Sequence, residues 1–328
     1  MQRAIRSIVQ SASGSEGEVE ILVSDNSPEI SEEACRQALE PWGGRSVYIG
    51  NRQNVGIPAN FNECIARASG RYVVFACDDD RVLPGAVPSI LESLAAGDEP
   101  VLLFQVHVVD TEGRIVLRQE FGHDESLGAS GALHGLLSDN RFALFPGVVV
   151  SRDAYAAVGP FDADLGNAAD IEMWVRLFAR FGVRRVPTTI SAYTVHSGTA
   201  TQSTAFDADG VAQLMEIFQR ARNTGVLSAA TIHRCQARYI HSIILAKAFL
   251  NLRSGDVAAA RRVMSLFDLN SVSSLGPSLR MLPARAFLMM LVRCPPALVR
   301  WLMAWVDRAD LVRRVRAVQI RGRAGSGP

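Results

Sequence analysis

Between residues 18 and 80 the chain alternates two hydrophobic periods, and that alternation restricts it to very few folds. EVEILVSDNS, RSVYIGN and YVVFACDDD are short apolar runs rich in strand-forming residues. Between them, SEEACRQALEPW and IPANFNECIARASG repeat apolar residues at helical spacing. The first of these helices opens on a Ser31 cap with two early acids, and the second closes at Gly70. Short strands alternating with helices predict a parallel, doubly wound α/β sheet, in which ligands bind at the carboxyl ends of the strands. Two acidic features fall at such ends, Asp25 and the run Asp78 to Asp80. Further strands are expected over 101–109 and 145–150 and in VRRVPTTISAYTVH, with helices in RAIRSIVQ and in NAADIEMWVRLFARFG, which stops at Gly182.

Past about residue 205 no strand pattern follows, and 208–223, 228–252, 256–267 and 296–318 read as helices. The expected organisation is an α/β domain over 1–205, a helical C-terminal region over 206–320 and a flexible tail over 321–328.

Three adjacent carboxylates ending a buried strand need a compensating charge, because burying even one unpaired costs several kcal/mol. Hard carboxylate oxygens at a strand end hold Mg²⁺ or Mn²⁺ together with a substrate phosphate. An exposed Asp-rich turn is the plainer alternative.

The neighbouring residues favour the cation. ILVSDNS followed by NVGIPANFNECIARASGRYVVFACDDDRVLP resembles the family 2 glycosyltransferases, an inverting family with the GT-A fold. The matching positions are Asp25, Asn54, Gly56, Asn62, Ala68, Gly70, Asp78 to Asp80 and Pro84. Farther on, SRDAYAAVGPFD, ADIEMWVRLFARFG and AYTVH resemble the family's pre-acceptor loop, acidic helix and His-terminated strand. The resemblance covers roughly residues 1 to 200 with order and spacing intact.

It implies a role for each matching residue. Asp25 would contact the nucleotide base or ribose, where the residue alone also reads as an Asx-turn. Asn54 and Asn62 would shape the donor pocket, or bond local backbone. Asp79 and Asp80 would bind the metal and Asp78 the ribose, although the first acid of the common D-x-D spacing falls on Cys77. Asp170 would be the general base, with Asn167 capping the helix in its place. Trp174, on the same helical face, would contact the acceptor sugar or pack in the core. His196 would approach the metal or the diphosphate, or stand as an ordinary polar residue. Three departures follow the same comparison: Phe61 replaces an expected Arg, Ala169 an expected Glu, and the chain begins inside a helix without the family's first strand. The last implies a true start about 10 to 15 residues upstream. Glu172, roughly 200° around the helix from Asp170, is expected to face solvent, and Arg176 to be structural.

With 48% hydrophobic residues and a net charge of +1, the composition gives no reason to expect nucleic acid as a partner. Five scattered cysteines without a CxxC pair support neither zinc nor a disulfide framework, and fit a reducing cytoplasm. No secretory signal or membrane span is visible. From Arg280 onward, however, ten arginines face only Asp307 and Asp310. PALVRWLMAWVDRADLVRRVRAV reads either as an interfacial helix with Trp301 and Trp305 at the lipid, or as a helix packed on the rest of the chain.

The resemblance therefore implies a metal-dependent transferase. It would move a sugar from a nucleotide-diphosphate donor to a glycan or lipid-linked acceptor in bacterial surface polysaccharide synthesis. Its place would be the cytoplasm, peripheral on the inner face of the plasma membrane. The rival readings are a sugar-phosphate nucleotidyltransferase, for which no Gly-rich phosphate loop is visible, and a non-catalytic nucleotide-sugar-binding protein.

Overall fold

The computed structural model describes residues 1–27, 32–195, 206–276 and 281–303. They form two compact units, Met1–Ala205 with Gln213–Cys235, and Phe206–Ala212 with Gln236–Pro328.

The first unit opens with α1 (Gln2–Ala12), β1 (Glu20–Asp25), α2 (Glu32–Leu39), β2 (Arg45–Gly50) and α3 (Ile57–Arg67). β1 and β2 pair in parallel, from Glu20 opposite Arg45 to Asp25 opposite Gly50. Every second residue of β1 is buried, the signature of a strand with one face on a core. That face, Ile21 and Val23, meets Ile5, Val9 and Ala12 of α1 and Cys35, Ala38 and Leu39 of α2.

The larger sheet has seven strands, with β3 (Tyr72–Val74), β8 (Val148–Ser151), β5 (Val101–Val109), β9 (Val183–Thr194) and β4 (Arg81–Val82) in spatial order. β6 (Ile115–Arg118) pairs with β5, and β7 (Glu125–Leu127) with β9. β5 is central, and its first six residues are all buried, as a strand covered on both faces requires. On one face Leu102 and Phe104 pack under Ala86 and Ile90 of α4 (Ala86–Ala95). Across the sheet lie α5 (Ala129–Ser138) and α7 (Ala169–Phe181), whose Leu133, Leu137, Met173, Leu177 and Phe178 are all buried. Between them in the chain comes the short α6 (Arg152–Val158).

The sheet is mixed. β1 and β2 make a separate parallel pair; within the larger sheet β5–β9 is parallel, whereas β3–β8, β5–β8, β5–β6, β4–β9 and β7–β9 are antiparallel. A short connection accounts for one of these antiparallel pairs, β5–β6, while the others join strands distant in the chain. Asp110 Oδ1 accepts the amides of Glu112 and Arg114 and closes the β5–β6 turn, a link far shorter than the dozen or more residues a parallel crossover needs.

Gly182 ends α7, as the sequence predicts. Its φ of +71° suits glycine, and a Cβ there would overlap the Leu127 carbonyl oxygen.

After Thr194 the described residues contain no strand. The helices there include α8 (Ala208–Asn223), α9 (Ala229–Arg253), α10 (Val257–Ser265), α11 (Asn270–Ser273) and α12 (Leu282–Leu291). In the second unit Ile240, Ile244, Leu252, Val263, Phe267 and Leu288 are among the buried residues. Among the described residues, no helix is long and apolar enough to cross a membrane. All five cysteines are free. Ser31, His196, Trp305 and the tail 321–328 lie outside the described residues.

Candidate functional site

Two strand ends carry the acids that the sequence singles out. After β3 the chain turns at once, the amide of Asp80 donating to the Cys77 carbonyl at 3.1 Å. This turn gathers Cys77, Asp79 and Asp80, whose sulfur and carboxylate oxygens lie within 4.8 Å of one another. Asp80 is 1% exposed. Its Oδ1 accepts from the Thr194 amide at 3.0 Å, which ties the turn to the end of β9. Its Oδ2 is buried and has no hydrogen-bond partner. Burial, reinforced by the charges of Asp79 and Asp78, pushes the Asp80 carboxyl up to about 7 against the pull of the Thr194 N–H.

An orphaned carboxylate oxygen in such a place costs free energy unless a cation meets it. The donor set therefore fits a divalent metal. Asp78 is set apart from the group, its side chain 69% exposed. Cys77, which the sequence reading treats only as a break in register, joins it instead. The signal was its place at the first acidic position of the D-x-D spacing.

Asp170 is near enough to this turn for its charge to act on Cys77. The Cys77 thiol is pushed well above its usual range by burial first, then by the charges of Asp80, Asp79, Asp78 and Asp170. Asp170 sits in the first turn of α7, and its Oδ1 accepts from the Ile171 amide at 2.7 Å. Removal from water raises its carboxyl to about 6, partly offset by backbone N–H groups. The cap position of α7 is Ala168, which makes no side-chain cap bond.

Glu172 corrects an expectation. It is 2% exposed and lies inside the protein. Arg176 donates to it through Nε at 2.9 Å and Nη2 at 2.7 Å, and Arg220 of α8 stands 3.3 Å from it. The same Arg176 donates to the carbonyls of Val158, Gly159 and Pro160, while Arg220 also pairs with Asp162 at 2.8 Å. A buried carboxylate is tolerated here because two guanidinium groups answer it.

Trp174 is likewise corrected, being 1% exposed and packed among Phe145, Phe161 and Phe178. It offers no face to an acceptor sugar, and the core alternative describes it. Asn62 spends its whole amide on Phe161. Its Oδ1 accepts from that residue's N–H at 2.7 Å, and its Nδ2 donates to that carbonyl at 2.9 Å. The donor-pocket role is replaced by a staple between α3 and the loop before α7. Beside it, Phe61 stacks on Phe145 with centroids 4.7 Å apart and meets Phe75 at 4.9 Å, a ring cluster leading up to the acidic turn.

The other strand end is a closed polar network. Asp25 is fully buried. Its Oδ1 accepts from the Ser27 amide at 3.0 Å and from the Ser27 hydroxyl, and its Oδ2 from the Tyr48 hydroxyl at 3.2 Å. Burial first and this carboxylate second raise Tyr48 to about 12. Asn54 Oδ1 accepts from Asn26 at 3.0 Å and from the Gly56 amide at 2.8 Å. The Asx-turn and backbone-bonding alternatives hold at Asp25 and Asn54 in this structure.

Residues 1–159 match the family described as Glycosyl transferase family 2. A protein of Mycobacterium tuberculosis (strain CDC 1551 / Oshkosh) is 28% identical over 206 residues, 58% of this chain and 61% of that protein. The minor teichoic acid biosynthesis protein GgaB of Bacillus subtilis (strain 168) is 30% identical over 114 residues, 35% of this chain and 13% of GgaB. The chain thus spans less than two thirds of either relative. Among solved structures, S. aureus TarS 1–349 in complex with UDP superimposes with a TM-score of 0.55 at 16% identity, covering 99% of this chain and 87% of that one. The complex with UDP-GlcNAc gives 0.55 at 16%, covering 98% and 87%. At such identities the likeness speaks for the fold, which is GT-A.

Proposed function

The chain belongs, through residues 1–159, to glycosyl transferase family 2, and from that premise we propose an inverting transfer of a sugar from a nucleotide-diphosphate donor to a glycan or lipid-linked acceptor. The observation that carries this reading is the Cys77, Asp79 and Asp80 cluster with its buried, unanswered Asp80 oxygen, which the charge of Asp170 reaches. An orphaned metal-fitting oxygen and a desolvated carboxylate share one neighbourhood.

Asp79 and Asp80 would hold the cation, Mn²⁺ or Mg²⁺, with His196 as a further candidate. When bound, the cation offsets charge developing on the departing diphosphate. Asp170 takes the proton from the acceptor hydroxyl as that oxygen bonds to the anomeric carbon. The bond from that carbon to the diphosphate oxygen breaks on the opposite face. A carboxyl near 6 is ionised at neutral pH yet basic enough to accept that proton. Since solved relatives of this fold hold UDP and UDP-GlcNAc, UDP is the first nucleotide to try.

The test is calorimetric titration with UDP, GDP and dTDP, each with and without Mn²⁺, on the wild type and on Asp170→Asn. One nucleotide binding only with metal, equally in both proteins, together with turnover lost only in Asp170→Asn, is expected. Nucleotide binding with no turnover in the wild type would leave a nucleotide-sugar-binding protein, and unchanged turnover in Asp170→Asn would place the base at another residue.

The reading extends to domain and place. Residues 1–205 form the transferase domain and 206–320 the helical region, acting in the cytoplasm in surface-polysaccharide synthesis. In 281–303 the exposed large apolar residues Leu282, Phe287, Met290, Leu298 and Trp301 share the segment with Arg285, Arg293 and Arg300. No acid lies between Asp268 and Asp307. This supports peripheral contact with an anionic bilayer. Sedimentation with phosphatidylglycerol vesicles but not phosphatidylcholine ones is the expected outcome, weakened in Trp301→Ser.

A further inference from the structure

The acidic turn contains one atom that does not belong to hard-cation chemistry, the Cys77 sulfur. It stands within 4.8 Å of ligand oxygens from Asp79 and Asp80. The turn bond from the Asp80 amide to the Cys77 carbonyl keeps the two residues together. The independent sign of a ligand is Asp80 Oδ2, buried and without a partner. Carboxylates and water suit Mg²⁺, whereas a thiolate favours softer ions. We propose that Cys77 ligates the divalent cation beside Asp79 and Asp80, and that its sulfur turns the site's preference from Mg²⁺ toward Mn²⁺, Co²⁺ and Cd²⁺. On binding, the S–H bond breaks, its proton leaves to solvent, and the sulfur lone pair forms the bond to the metal.

The inference rests on reading residues 77–80 as the cation site, so the experiment separates the two. The full chain, with UDP present, is titrated with Co²⁺ while absorption is followed for the thiolate-to-cobalt charge-transfer band. Mn²⁺, Mg²⁺ and Cd²⁺ affinities are measured by calorimetry on the same protein. The wild type is expected to bind Co²⁺ with the band. Cys77→Ser should lose the band while still binding metal. Cys77→Asp should shift the Mg²⁺-to-Cd²⁺ affinity ratio toward Mg²⁺ by about tenfold or more, the scale on which altered metal sites respond. Cys35, Cys64, Cys235 and Cys294 remain in both variants, so a band surviving in Cys77→Ser would belong to another thiol and overturn the proposal. Co²⁺ bound to wild type without the band would overturn it and leave the metal-dependent transferase standing. No cation bound by wild type with UDP would overturn both.

Discussion

The ends of β1 and β3 look alike as sequence and differ as chemistry. Both are short apolar strands running into aspartate and a polar turn. At the first, both carboxylate oxygens of Asp25 accept from neighbours, Ser27 and Tyr48, and Asn54 Oδ1 accepts from Asn26 and Gly56. At the second, Asp80 keeps an oxygen buried and unanswered, and Asp170, half-buried, is near enough for its charge to act on Cys77. A polar residue that satisfies itself locally serves the fold. One that the fold leaves unsatisfied is held for something that arrives from outside.

The sharpest way to break this contrast is at Asp170. Its change to Asn should lower kcat by about 10²–10⁴ while donor binding stays within twofold to threefold, roughly the range for a lost general base. Stopped assays against tritium-labelled donor would show it. Next comes the metal. Asp80→Ala should weaken Mn²⁺ binding by about 10–100-fold, whereas Asp25→Ala should leave Mn²⁺ affinity alone. Asp25→Ala should instead lower stability by about 1–3 kcal/mol, because the donors of Ser27 and Tyr48 lose their acceptor. Denaturant titration reads the second effect and calorimetry the first, and a large metal defect in Asp25→Ala would erase the distinction between the two ends.

The pH dependence sharpens the comparison further. Asp170 acts as a base only when ionised, so kcat should rise with pH through about 6 and then level. A cation bound nearby favours the ionised form and moves this limb lower, not higher. The limb should vanish in Asp170→Asn. The smallest effect is expected at Asp78, whose exposed side chain should tolerate Ala within about 0.5 kcal/mol and without loss of Mn²⁺ binding.

The parts of this protein legible in its sequence are those set by local periodicity. β5 was readable because a central strand must be apolar without interruption, and α7 because its apolar spacing ends at a glycine that no other residue replaces without strain. α4 and α5 escaped because Pro88 interrupts one and Gly131 and Gly135 the other, hiding the helical period. At the site, the acids of the turn were visible, but their individual fates were not. Glu172 is buried because Arg220 reaches it from a helix some fifty residues on, and Asn62 is spent on a backbone 99 residues away. No reading of neighbours in sequence contains such partners.

The pair of arginines around Glu172 has a practical consequence for anyone dividing this molecule. Arg176 fastens the loop before α7, but Arg220 lies beyond the point where the strand-bearing sequence ends, and it bridges Glu172 to Asp162. A fragment cut after residue 205 would keep every acidic residue of the candidate site and discard one of the two positive charges bracing the helix that carries Asp170. Such a piece would be complete as a catalogue of ligands and unsound as a frame, so any dissection of activity should carry the chain at least through Cys235.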